Sequence, residues 1–379
     1  MKVLHVITGL KTGGAEMMLH KVLSHMDSGE FQSEVVSLTG GGEMDQKIRD
    51  LHVPVSTLGM ARGMPSPQAI LRLARRIREA RPDVIQTWMY HADLMGGLAA
   101  RLAGGPPVIW NIRNSALARF ALKRRTLWTI KLGAHLSHRL PARIVCCSEA
   151  AARDHAEFGY AADKIVVIRN GFALEAYRPD AAMRPCVRRE LGIAEEAPLI
   201  GLVARFDPAK DHVTFLRAAG RLHKDHPEVH YLLCGKDVTG DNPALTGEIA
   251  AAGIGDRCHL LGLRRDIPRL TAALDIAASS SAGEAFPNAI GEAMACGIPC
   301  AVTDVGDSAM LVGGTGRVVP PRDPQALAGA WREMLEMGEE GRRRLGTLAR
   351  QRVETEFDIK GVALCYGQLY QEVARKCVA

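Results

Sequence analysis

The chain has 379 residues, of which 47% are apolar and 24% charged, with a net charge of +6. That length exceeds what one hydrophobic core ordinarily serves, so two domains are expected, and the composition is ordinary for a soluble protein. No apolar run approaches the ~18 residues a membrane span needs, and the N-terminal apolar stretch breaks too early for a signal peptide, so a cytoplasmic location is expected. Nine cysteines, an odd count with no Cys-x-x-Cys pair, exclude a disulfide framework and lack zinc-site spacing.

In chain order, the first half opens with a strand at 3–7, a loop containing Gly13-Gly14, and an amphipathic helix at 16–26. Further strands are expected at 33–38, 84–87, 108–112, 143–147 and 164–168, alternating with helical patterns at 67–80 and 92–102. The turn Asn170-Gly171 and a Pro- and Arg-containing stretch near 177–185 mark a linker, which places the domains at 1–182 and 183–357. The second half repeats the order: a strand at 199–203, the loop Arg205-Phe-Asp-Pro-Ala-Lys210, a helix at 211–222, then strands at 231–234, 258–261, 276–278 and 300–303. Short apolar strands between helices indicate parallel sheets covered on both faces, two doubly wound α/β domains. A last helical pattern covers 358–373 within the terminal segment 358–379.

The positive charge is local. From Leu94 to Ser148 there are nine basic residues and no acidic one, so the rest of the chain is net acidic. Within it, residues 113–143 interleave Arg and Lys with Phe120, Trp128 and Leu132, which fits either a solvated helical face or a surface for anionic lipid. No nucleic-acid-binding motif accompanies the charge, so nucleic acid is not an expected partner.

Glu284 and Glu292 enclose Ala-Phe-Pro-Asn-Ala-Ile-Gly. Pro287 suits a first helical turn, where its missing N–H costs nothing, and Gly297 with Pro299 reads as the stop, giving a short helix at 287–296. At about 1.5 Å rise per residue the two carboxylates stand on the order of 12 Å apart along the axis. That is roughly the reach from the sugar ring of a nucleotide sugar to its ribose, with exposed N–H groups of the helix N-terminus facing the diphosphate between. Arg205 and Lys210 follow the first strand of the second half, at the sheet edge where open α/β folds bind ligands. Gly13-Gly14 allows a close backbone approach to phosphate, but it lacks the Gly-x-Gly-x-x-Gly spacing of a dinucleotide site.

The stretch from Ser281 to Pro299, with Gly-Leu-Val-Ala-Arg-Phe-Asp-Pro-Ala-Lys-Asp before it, resembles the donor site of retaining glycosyltransferases of family 4. The resemblance spans nearly the whole chain and implies the GT-B architecture, two Rossmann-like domains facing a cleft, with the terminal helix of 358–379 packed back on the first domain. It implies that Gly14 contacts the donor diphosphate, that Arg205 and Lys210 grip it, and that Glu284 binds hydroxyls of the donor sugar. Phe286, Pro287, Asn288, Ala289 and Ile290 then lie near sugar and phosphates, and Glu292 accepts the ribose hydroxyls. Leu261-Gly-Leu-Arg-Arg-Asp-Ile-Pro268 looks like the base loop, which points to Arg264, Arg265 and Ile267. Arg113 stands where many relatives carry a histidine near the transferred sugar, and His91 is a second candidate from this half.

The implied activity is transfer of a hexose-type sugar from a nucleotide sugar, by family frequency a UDP-sugar, to a glycan or lipid-linked acceptor in cell-envelope polysaccharide or glycolipid synthesis. Fixed cations would stabilise the charge that develops on the leaving diphosphate. The chain has no Asp-x-Asp to hold a divalent ion, so neither metal nor cofactor is expected. Peripheral association with the inner face of the cell membrane is expected through 113–143. A GT-B nucleotide-sugar epimerase and a non-catalytic sugar-nucleotide-binding module are the alternatives.

Overall fold

The computed structural model describes residues 1–60, 67–115 and 124–376. It comprises two compact units, Met1–Gly171 with Ile359–Ala379, and Phe172–Asp358.

The first unit begins β1 (Lys2–Ile7), α1 (Gly14–His25), β2 (Gln32–Ser37), α2 (Glu43–Arg49), β3 (Val55–Thr57) and α3 (Pro67–Ala80). It continues β4 (Val84–Trp88), α4 (Tyr90–Ala103), β5 (Val108–Ile112), α5 (Arg124–Ser137), β6 (Arg143–Cys146), α6 (Glu149–Glu157) and β7 (Ile165–Val167). Its sheet has the order β3-β2-β1-β4-β5-β6-β7, and the paired strands run parallel. β4 and β5 are buried at every position, as strands covered by helices on both faces must be. The covering helices are amphipathic: α3 buries Ala69, Leu73, Ala74, Ile77 and Ala80 at helical spacing and turns Arg72, Arg75 and Arg78 outward.

The second unit runs α7 (Met183–Leu191), β8 (Leu199–Val203), α8 (His212–His223), β9 (His230–Cys234), α9 (Pro243–Ala252), β10 (Cys258–Leu260) and α10 (Ile267–Ala272). Then come β11 (Ile276–Ser279), α11 (Asn288–Ala295), β12 (Cys300–Thr303), α12 (Ser308–Val312), β13 (Gly316–Val319), α13 (Pro324–Glu336) and α14 (Gly338–Glu356). Its parallel sheet is ordered β10-β9-β8-β11-β12-β13. The final helix, α15 (Ile359–Lys376), packs on α1 and β4 of the first unit and buries Val362, Tyr366, Tyr370 and Val373.

The division between units falls at Gly171/Phe172, so residues 172–182, expected in the first domain, pack with the second. Phe172 has no exposed surface, stacks on Phe286 at 6.2 Å and meets Phe357 edge-on at 6.5 Å. The expected linker around 177–185 instead leads into α7, whose Arg188 is 1% exposed and pairs with the buried Asp275 at 2.6 Å. Asp275 also accepts from the Leu199 amide at 2.7 Å and pairs with Arg184, so the arginines of this stretch neutralise a buried carboxylate rather than decorate a linker.

Candidate functional site

In each sheet the strand order reverses beside the first strand: β1 lies between β2 and β4, and β8 between β9 and β11. Loops leaving the carboxyl ends of strands at such a reversal are where open α/β sheets bind ligands.

In the second unit, the loops leaving β8 and β11 are stitched together. The Ser280 hydroxyl donates to the Lys210 carbonyl at 3.0 Å, and the Ala282 amide to the Ala209 carbonyl at 2.8 Å. Above these bonds the Lys210 ammonium pairs with the Glu284 carboxylate, which also accepts from the Ser281 hydroxyl at 2.8 Å. Both side chains remain partly exposed, 22% for Lys210 and 12% for Glu284. Gly306 braces this segment from the far side: at φ +58° it lies so close that a Cβ there would sit 2.3 Å from the Glu284 carbonyl oxygen. The Asp307 amide then donates to the Ala285 carbonyl at 3.1 Å.

Pro287 caps α11 rather than filling its first turn, and Asn288 is the first helical residue. Phe286, Pro287 and Ile290 are buried, and the Phe286 ring is committed to Phe172 and Phe357, which leaves its backbone for a ligand. Asn288 and Ala289 are half-buried. Glu292 is 7% exposed and hydrogen-bonded to Tyr177; burial first, and then this carboxylate, pushes the Tyr177 hydroxyl far up. At the carboxyl end of α11 the Arg350 guanidinium donates to the Ala295 carbonyl, one of the acceptors a helix end leaves open.

Arg205 is 62% exposed and pairs with Asp207 at 3.1 Å. Arg265 is exposed in the loop before α10, and Ile267 is the half-buried first residue of that helix. The Arg264 guanidinium is already held by Asp266 and Glu190 at 2.7 and 2.8 Å, so only its backbone is available to a base.

Gly14, His91 and Arg113 belong to the first unit. Gly14 is the exposed first residue of α1, whose Gly13 cap offers no side-chain acceptor, so the first-turn N–H groups of α1 have no side-chain cap. His91 lies half-buried in the first turn of α4, and burial lowers its pKa. Before it, Met89 adopts φ +75° and ψ +155°, a region that costs a non-glycine residue about 1–3 kcal/mol. Arg113 follows β5. Its guanidinium donates to Asn111 Oδ1 at 3.4 Å, to the Tyr366 hydroxyl at 3.3 Å and to Asn170 Oδ1, and it lies 5.8 Å from the Trp88 ring centre. Tyr366 and Tyr177 carried no site signal in the sequence, Asn170 only a turn with Gly171, and Ser281, at the edge of the resembling stretch, no role of its own.

In the same unit a buried carboxyl ties β4, α4 and β5 together. Asp93 Oδ1 accepts from the Thr87 hydroxyl at 2.5 Å and the Asn111 amide at 3.3 Å, and burial raises its pKa to about 7. Among the described residues no three His, Cys, Asp or Glu side chains gather as a metal site. A cavity of about 510 Å³ opens at the amino end of α8, lined by Phe206, Asp207, Asp211, Thr214, Arg217 and Arg322, and neither Lys210 nor Glu284 lines it.

These features define a class: a two-domain α/β protein with a charged pair at a sheet-reversal point ahead of a helix amino end. A family model described as Glycosyltransferase Family 4 matches residues 12–176, and one described as Glycosyl transferases group 1 matches residues 197–337. The EpsF protein of Bacillus subtilis (strain 168) is 28% identical over 80% of this chain and 79% of its own. An Escherichia coli UDP-Gal:alpha-D-GlcNAc-diphosphoundecaprenol alpha-1,3-galactosyltransferase is 26% identical over 71% of this chain and 70% of its own. The crystal structure of HepE from Anabaena in complex with UDP and glucose superposes with a TM-score of 0.86, at 23% identity, covering 98% of this chain and 100% of that one. The fold is GT-B. The chain belongs to the group 1, family 4 glycosyltransferases.

Proposed function

We propose that the protein is a retaining, metal-independent glycosyltransferase that moves a hexose-type sugar from a UDP-sugar to a hydroxyl of a glycan or lipid-linked acceptor in cell-envelope synthesis. The donor is taken by the second unit and the acceptor by the first. The observation that carries this reading is the Lys210–Glu284 pair at the β8/β11 reversal, immediately ahead of α11. Glu284, its geometry set by Lys210, Ser281 and Gly306, accepts from hydroxyls of the donor sugar. Lys210 and Arg205 stabilise the charge gained by the diphosphate as the glycosyl bond breaks, together with first-turn N–H groups of α11 and the backbone at Gly14. Glu292, with two acceptor oxygens, takes the ribose hydroxyls, and the loop of Arg265 and Ile267 receives the base. The acceptor hydroxyl attacks from the face the diphosphate leaves, and a leaving phosphate oxygen accepts its proton. HepE crystallised with UDP and glucose, and the E. coli relative named for UDP-Gal, support the donor class.

The test is a transfer assay over a panel of UDP-hexoses with extracted lipid-linked and glycan acceptors, alongside UDP-dependent thermal stabilisation. Conversion of the donor without acceptor would identify an epimerase instead. No stabilisation by any nucleoside diphosphate would overturn the donor assignment.

The acceptor's setting is read from α5, which buries Ile130 and Ala134 while leaving Trp128 73% and Leu132 46% exposed. Lys131 lies 5.9 Å from the Trp128 ring centre, and Arg124 and Arg125 are exposed beside it. No helix among the described residues is long and apolar enough to cross a membrane. An amphipathic basic face of this kind suits peripheral docking on anionic lipid, each basic group near the surface contributing about 1 kcal/mol. Arg119, Phe120 and Lys123 of the same stretch lie outside the described residues. Co-sedimentation with phosphatidylglycerol vesicles at low salt tests this, and a protein that stays in the supernatant refutes it.

A further inference from the structure

Arg113 is a half-buried cation held only by neutral groups. Asn111, Tyr366 and Asn170 each accept one of its hydrogen bonds, the Trp88 ring lies against it, and no carboxylate of a described residue pairs with it. A guanidinium has five N–H donors, so these acceptors leave two, the number a phosphate takes in a bidentate pair. Drawing a cation partly out of water without a counter-ion is unfavourable unless a ligand supplies the charge.

The holders are themselves fixed. Tyr366 has no exposed surface, stacks on Trp88 at 6.1 Å, and accepts a second bond from Asn111 Nδ2 at 3.1 Å. Asn170 is buried and precedes Gly171, where a Cβ would meet the Ile359 Cα at 2.6 Å, so the turn carrying Asn170 is pressed against the start of α15. The guanidinium is therefore pre-oriented at the carboxyl end of β5, one strand from the β1/β4 reversal and next to the strained Met89, whose amide donates to the Asn111 carbonyl at 3.0 Å.

We propose that Arg113 binds a phosphate group of the acceptor, and that Tyr366 and Asn170 are positioning residues that aim its guanidinium. This rests on the glycosyltransferase reading with the donor in the second unit. The phosphate belongs either to a soluble phosphomonoester or to a diphosphate-linked acceptor.

The experiment titrates inorganic phosphate and, separately, pyrophosphate into the full chain saturated with UDP, at low ionic strength in a calorimeter. Wild type is expected to bind at least one of them; tighter phosphate names the monoester source and tighter pyrophosphate the diphosphate source. Arg113→Gln should weaken that binding at least tenfold with UDP affinity unchanged. Arg113→Lys, which keeps the charge but loses the planar fork, should fall between. Tyr366→Phe keeps the buried ring and is expected to melt close to wild type while losing several-fold in anion affinity, a loss that a purely structural role would not produce. Absence of anion binding by UDP-saturated wild type, equal binding by Arg113→Gln, or an equal loss of UDP affinity in that variant overturns the proposal. Wild-type anion affinity in Tyr366→Phe overturns its positioning role. Failure of UDP itself to bind is a separate result that overturns the donor assignment, and titrations without UDP still read Arg113 through the difference between wild type and Arg113→Gln. Should Arg113→Gln fail to fold, Arg113→Lys and Tyr366→Phe carry the comparison.

Discussion

Gly291→Ala inverts the usual effect of its substitution. Replacing a helical glycine by alanine ordinarily stabilises by about 1 kcal/mol. Here a Cβ would stand 1.9 Å from the Phe172 ring, against ordinary carbon contacts of about 3.5–4.0 Å. The ring would have to retreat by roughly 1.5–2 Å, yet Phe172 is fully buried between Phe286 and Phe357. Overpacking of this kind costs about 1–3 kcal/mol, and so rigid a box points to the upper end. Net of the helix gain, a loss of about 2 kcal/mol is expected, or about 4–8 °C in melting temperature for a unit of this size. Differential scanning calorimetry reads the shift. Since Glu292 is the next residue on α11, UDP affinity should fall with it. Phe172→Leu should relieve the clash, so the double variant should be less destabilised than the two single losses added together. A Gly291→Ala protein that melts at or above wild type would refute the reasoning.

Lys210→Ala should lower kcat by 10²–10³ with a small change in donor affinity, the pattern of lost transition-state stabilisation. Glu292→Ala should chiefly raise the Kd for UDP; full activity in both variants would dismiss the site assignment. Gly306→Ala adds a side chain at φ +58° against the Glu284 carbonyl, so turnover should fall by more than stability alone explains, and unchanged kcat would remove Gly306 as a brace. Asp93 gives a pH signature: burial raises it from 3.8 to about 7, so its stabilising contribution is complete below pH 3.8 and is lost as pH rises through about 7. The gap in melting temperature between Asp93→Asn and wild type should therefore move in favour of the variant from pH 4 to pH 8; a constant gap would show that Asp93 does not titrate there.

The loops after β8 and β11 and the helix α11 were legible in the sequence because their signals are local. Lys210 and Glu284 each follow a strand that its apolar run marks clearly, and the helix from Asn288 to Ala295 carries its own entry and stop residues. The strands that escaped the sequence lie at sheet margins: β3 and β13 are three and four residues long with mostly half-buried or exposed positions. The longer helices α5, α13 and α14 also went unnamed in the sequence, and α7 was masked by the arginines that serve Asp275. Charge patterning marks an arginine without telling whether it meets water or a buried carboxylate, because that depends on a partner 87 residues away.

Around Arg113 the gap between sequence and structure is widest and has the same physical origin. The sequence places an arginine at the end of β5, but its character comes from Tyr366, 253 residues distant, and from Asn170 at the crossing between the two units. A tyrosine on a helix face reads as core, and an Asn-Gly pair reads as a turn; both assignments hold, and neither reveals that the two oxygens converge on one guanidinium. The consequence is that α15 does more than cover a sheet. It supplies the hydroxyl that aims Arg113, so truncating the chain before Tyr366 removes a positioning group as well as apolar surface. Tyr366→Phe separates the two effects, because only the hydroxyl is lost while the stack on Trp88 remains.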